Sequence, residues 1–174
     1  MVRGTERQLV DAHRPTLDSL VTAPLVPDEF EVPVRFEAAL FVLEPLGPEH
    51  NERDHEAWSS SIDHIHATPG FTGRRWPQPM SLDENLADLE THSADFDART
   101  GFAYTVLDPQ TDEVIGCVYV DPDRAQACGV TVRSWVRVTH ADLDQPLRVA
   151  MVDWLERDWP FASVRSPGSR LARP

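Results

Sequence analysis

The alternation of apolar and polar positions divides most of the chain into recognisable elements. Ala38–Leu46 is a compact apolar run closed by Pro45 and Gly47, which predicts a buried first strand. Pro48 suits the first turn of a helix. Trp58, Ile62 and Ile65, spaced four and three apart, predict that this helix runs over Glu49–His64. A loop rich in Gly and Pro, Thr68–Met80, follows and carries Phe71, Arg74, Arg75 and Trp76. Ser81-Leu82-Asp83-Glu84 is a capping box, in which the Ser side chain takes one orphan amide and the Glu reaches back to another. Leu82, Leu86 and Leu89 then line one face of a helix that continues to about Arg99.

Gly101 ends that helix and opens a strand, Phe102–Leu107. The turn Asp108–Asp112 leads into a second strand, Glu113–Asp121, and the turn residues predict a β-hairpin. After Pro122–Gln126 a third strand is predicted over about Cys128–Thr139. Val130, Val132, Ser134, Val136 and Val138 face one way along it, and Thr131, Arg133, Trp135 and Arg137 the other. Asp142–Trp159 is an amphipathic helix with Leu143, Leu147, Ala150, Met151, Trp154 and Leu155 on its buried side. Pro160 stops it, and Phe161–Arg165 is a short last strand. At the front, residues 1–36 form an N-terminal extension ahead of a domain over 37–174. A short helix is expected near Thr5–His13, and Pro24–Phe36 is expected to be an extended arm lying over its own sheet or a neighbouring subunit.

Composition narrows the function classes. A length of 174 residues suits one domain with an arm. A net charge of −13 repels phosphate backbones, which argues against nucleic acid and favours amines or basic peptides as partners. All 16 basic residues are arginine, so a lysine Schiff base is excluded. No signal-peptide core is present and no run approaches the roughly 18 apolar residues of a membrane span, so a cytoplasmic protein without membrane contact is expected. Cys117 and Cys128 both fall on predicted strands and read as core residues of a reducing compartment. Asp63-His64-Ile65-His66 with His55 sits at a predicted helix end, where residues two apart diverge, so no metal is expected.

Strands and helices mixed in this order predict an α+β fold. The order resembles the GNAT superfamily of acyl-CoA-dependent N-acetyltransferases. The residues that carry the resemblance are Leu40–Leu46, Gly101–Val106, Glu113–Val120, Val132–Arg137 and the helix Leu147–Trp159. It implies a GNAT-like mixed, mostly antiparallel sheet flanked by helices, with acetyl-CoA or another acyl-CoA as co-substrate. It implies that Trp135, Val136, Arg137 and Val138 lie along the pantetheine arm, with Arg148 near the phosphates. Phe71, Arg75 and Trp76 would border the acceptor, and Asp121, Tyr119 and Glu44 are the candidate proton-handling groups. Tyr119 and Asp121 share one strand face, and Trp135 and Arg137 share the next, so the two faces would form a cleft if they coincide.

Two departures stand beside the resemblance. The family's loop of Arg/Gln-x-x-Gly-x-Gly/Ala type falls here on Val138–Arg148, which has no glycine. Asp142 or Asp144 is expected as a helix N-cap there, and Pro146 removes an amide. The sequence also stops about ten residues after Arg165, where the family continues with a helix and two strands. Two functions follow: an N-acyltransferase acting on a small amine, or a GNAT-like ligand-binding or interaction protein without acetyl transfer, as a homodimer.

Overall fold

The computed structural model describes residues 23–126 and 128–168. Among them, six strands form one sheet in chain order. These are β1 (Phe36–Glu37), β2 (Val42–Pro45), β3 (Phe102–Leu107), β4 (Val114–Pro122), β5 (Gly129–Val136) and β6 (Ser163–Arg165). All neighbours are antiparallel except β5 and β6, which are parallel. Four helices flank the sheet: α1 (Asn51–Ser59), α2 (Ile62–Ala67), α3 (Leu82–Ala98) and α4 (Asp144–Asp158). This is the expected α+β architecture with a mixed, mostly antiparallel sheet.

Strand alternation sends side chains into two cores. Tyr104, Val118, Val120, Val132 and Val136 pack with Leu147, Met151, Trp154 and Leu155 of α4 on one face. Ala103, Cys117, Tyr119 and Trp135 pack on the other with Trp58 of α1, Ile65 of α2, Leu89 of α3 and Phe71 of the loop. A bulge at Ile115 (Val106 pairs with Gly116 and Leu107 with Val114) shifts the alternation at the start of β4. Gly116 pairs with Val136 of β5. A Cβ there would overlap the Trp135 carbonyl oxygen and come within 3.1 Å of Val136 Cα.

The arm lies over its own sheet. Leu25, Val26, Phe30, Val32 and Phe36 join the α4-side core. Arg99 donates from Nη1 to the carbonyls of Pro27 and Phe30, and the Tyr104 hydroxyl donates to the Pro33 carbonyl. The helix expected near Thr5–His13 lies outside the described residues.

Four local expectations are corrected. The helix predicted over Glu49–His64 is broken: a 3-10 turn, Pro48–His50, precedes α1, and the chain kinks at Ser60–Ser61 before α2. Ser61 Oγ there accepts from the Val138 amide, a tertiary bond that no helical periodicity reports. The strand predicted to reach Thr139 ends at Val136, and Val138–Leu143 coils into a 3-10 turn. Cys128 sits exposed in a turn with φ 62°, so only Cys117 is a core cysteine. Neither Asp142 nor Asp144 caps α4: Leu143 holds the cap position without a side-chain bond, and Asp144 is the first helical residue. Among the described residues no helix is long and apolar enough to cross a membrane.

Candidate functional site

Sheet register decides which of the candidate side chains meet. Cys117 pairs with Trp135, Tyr119 with Arg133, and Asp121 with Thr131. The cation beside Tyr119 is therefore Arg133. Arg137 lies at the other end of the strand face, where Glu56 (2.9 Å) and Glu113 hold its guanidinium. Arg133 donates to Asp121 at 2.6 Å, and its guanidinium lies 5.4 Å from the Phe71 ring centre and 5.3 Å from that of Tyr119. The loop between α2 and α3 closes over this pair. Trp76 packs on Trp58, Phe71, Tyr119 and Trp135 at centroid separations of 5.7 to 6.3 Å.

Beneath that loop lies a cavity of about 390 Å³. Phe71, Arg75 and Trp76 line it together with Tyr119, and so do Arg74, Arg133, Asp88 and His92. A second hollow, about 650 Å³, adjoins it across Arg74 and Arg133 and includes Asp121. Glu44 stands apart on β2, bonded to His50 Nε2 at 2.9 Å. His92 and Asp88, 3.8 Å apart, carry no sequence signal beyond an i,i+4 spacing on a polar helix. Arg133 carried a facing direction in the sequence but no register.

Burial sets the electrostatics. Tyr119 is held far above the ordinary phenol value, first by burial and then by its neighbours Cys117 and Asp54, so it is a neutral phenol at physiological pH. Trp135 Nε1 donates to its hydroxyl at 3.4 Å. The Arg74 guanidinium is pushed down, mainly by the charge of Arg133 and then by burial. Beneath them Asp54 is raised to about 6 by burial, opposed by a hydrogen bond from Asn85.

The C-terminal end of β5 is where the resemblance places an acyl-CoA. Pairing with β6 spans only Gly129–Thr131, so the far half of β5 presents its outer edge to solvent-side groups. The Arg137 N–H points to β4 and donates to the Ile115 carbonyl at 2.7 Å. Beyond it, Val138 N–H donates to Ser61 Oγ at 3.0 Å, and the Asp144 carboxylate lies near the Val136 amide. His64 Nε2 approaches Asp144 to 2.8 Å, as a close charge contact rather than an aligned hydrogen bond. Burial raises the Asp144 carboxyl, and His64 and the Val136 amide pull it back. Trp135 and Val136 side chains are fully buried, whereas that of Val138 is half exposed. Arg148 flanks a cavity of only about 140 Å³ beside Asp144 and Ser166.

These groups do not fit a coenzyme A pyrophosphate and pantetheine arm. A helix start binds phosphate through unpaired amides and its positive end. Here the Val138 amide is taken, the turn has no glycine, and Asp142 and Asp144 add negative charge. The histidines named as metal candidates have other roles. His55 and His66 hold the carbonyls of Met80 and Pro77, and His64 faces Asp144. Among the described residues no three His, Cys, Asp or Glu side chains gather as a metal site.

No protein-family model and no curated protein matches this chain. Solved structures do. A ribosomal-protein α-N-acetyltransferase in complex with coenzyme A, disulfide-linked to a cysteine, superposes with TM-score 0.55 at 14% identity, over 74% of this chain and 70% of that one. An acetyltransferase from Salmonella typhimurium that modifies the N-terminal serine of a 50S ribosomal subunit protein gives 0.53 at 13%, over 74% and 70%. A ribosomal-protein alanine acetyltransferase from Vibrio fischeri gives 0.52 at 14%, over 71% and 67%. The chain has the GNAT-type fold.

Proposed function

We propose that this chain is a GNAT-fold ligand-binding protein that takes a small molecule into the cavity between Trp76, Tyr119 and Arg133, and that it works without acetyl-CoA. The observation that carries this is the end of β5, where Ser61 Oγ accepts from the Val138 amide and the Asp144 carboxylate stands beside Val136. Freeing the Val138 amide breaks its hydrogen bond to Ser61 Oγ, at about 0.5–1.5 kcal/mol. The adjoining cavity of about 140 Å³ falls well below the roughly 300 Å³ at which ligand pockets begin, whereas the aromatic cavity of about 390 Å³ lies inside that range. Calorimetry of the whole chain with acetyl-CoA tests it. No heat of binding at millimolar ligand is expected, and micromolar affinity would overturn it.

The Asp88–His92 pair favours a second reading, acyl transfer to an amine. His92 lies in the aromatic cavity with Asp88 3.8 Å away, placed to take a proton from a bound amine beside the neutral Tyr119 phenol. The acceptor is then a small amine or the terminal amine of a basic peptide. Acetyl-CoA turnover with an amine, abolished in His92→Gln but not in Glu44→Gln, would displace the first reading.

A further inference from the structure

We infer that the aromatic cavity selects a ligand with an anionic group, a carboxylate or a phosphate, carried on a flat apolar body. The inference rests on the ligand-binding reading above and adds the chemical class. The chain as a whole has a net charge of −13, yet its charge is reversed here. Arg74, Arg75, Arg124, Arg133 and Arg165 line the two adjoining hollows against three aspartates, Asp88, Asp95 and Asp121. Arg165 is neutralised by the buried Asp123 at 2.9 Å, and Arg133 is partly neutralised by Asp121. Among the described residues, Arg75 and Arg124 have no hydrogen-bond or ion-pair partner, and Arg74 donates only to the Gly70 carbonyl, at 2.7 Å.

Arg133 is the anchor. Its side chain is 16% exposed and is held between Asp121 and the rings of Phe71 and Tyr119, so its guanidinium is preorganised. Only one of its terminal nitrogens is engaged by Asp121, which leaves the other face of the fork to the cavity. The Arg74 guanidinium stands close enough for the Arg133 charge to disfavour its protonated form. Two like charges facing one hollow are relieved by an anion between them, and guanidinium pairs match planar carboxylates and phosphates in a two-point fashion. Phe71, Trp76 and Tyr119 supply the wall against which a flat ring packs in offset or edge-to-face contact. A cationic amine of the same shape meets the two guanidiniums, with Asp88 as the counter-charge on the helix side.

Four probes titrated calorimetrically into the whole chain decide the matter: indole-3-acetate, phenyl phosphate, tryptamine and inorganic phosphate. Indole-3-acetate or phenyl phosphate is expected to bind, more weakly as salt is raised, and Arg74→Gln is expected to weaken that binding about tenfold. Arg74 is exposed, so this variant folds, and its unliganded melting temperature serves as the control. Tryptamine binding as tightly as indole-3-acetate overturns the anionic class while leaving the cavity a ligand site. Inorganic phosphate binding as tightly as phenyl phosphate overturns the flat apolar body. Failure of all four to bind overturns both this inference and the ligand-binding reading.

Discussion

Asp54 offers the sharpest test of the core beneath the cavity. It is 4% exposed, and its Oδ2 accepts from Asn85 Nδ2 at 3.2 Å. The orientation of the Asn85 amide is set by Trp58 Nε1, which donates to Asn85 Oδ1 at 2.9 Å. Burial lifts the Asp54 carboxyl from 3.8 to about 6, Asp88 adds to the rise, and Asn85, His50 and His55 oppose it. The folded chain therefore holds this proton more tightly than the unfolded chain. The resulting stability is fully present below about pH 4 and is lost as pH rises through about 6. A shift of about two units corresponds to about 3 kcal/mol at roughly 1.4 kcal/mol per unit. Asp54→Asn keeps the acceptor for Asn85 and removes the charge, but introduces amide protons that lack an obvious partner, at about 1 kcal/mol. The variant is expected to be about 1–2 kcal/mol more stable than the parent at pH 8 and no more stable at pH 4. Urea unfolding followed by tryptophan fluorescence at several pH values measures the difference. A parent protein that does not lose stability relative to the variant between pH 4 and pH 8 would refute the reasoning.

Other substitutions probe the sheet and the loop. Gly116→Ala places a methyl against the Trp135 carbonyl and Val136 Cα, both backbone, so no rotamer relieves it. A loss of about 3 kcal/mol is expected, and an unchanged melting temperature would contradict the β4–β5 register. Ser81→Ala removes the side-chain acceptor of the Glu84 amide, with an expected loss of about 1 kcal/mol in chemical denaturation. Trp76→Ala takes away the ring that bridges Trp58, Phe71, Tyr119 and Trp135, with an expected loss of about 3 kcal/mol and of any ligand titration in the cavity.

Much of the architecture was legible before any coordinates. The order of strands and helices, the capping box at Ser81–Glu84, the β3–β4 hairpin and the inward face of α4 all follow from local periodicity and turn chemistry. Side chains alternate along a strand by geometry alone, so the division of Val132 and Val136 from Arg133 and Trp135 needed no partner strand. The grouping of Phe71, Arg75 and Trp76 was likewise visible as a cluster on one loop.

What only tertiary structure decided is which groups face each other. Register is a relation between two strands, and a slip of four residues keeps every face yet exchanges Arg133 for Arg137 beside Tyr119. The break at Ser60–Ser61 and the end of β5 at Val136 are tied together by a bond from the Val138 amide to Ser61 Oγ across 77 positions of sequence. Asp144 reads as a helix cap in the sequence, and its carboxylate instead faces His64. Local sequence determines what a segment can form. The long-range partners that satisfy its free amides and charges determine which side chains meet and which backbone groups remain open.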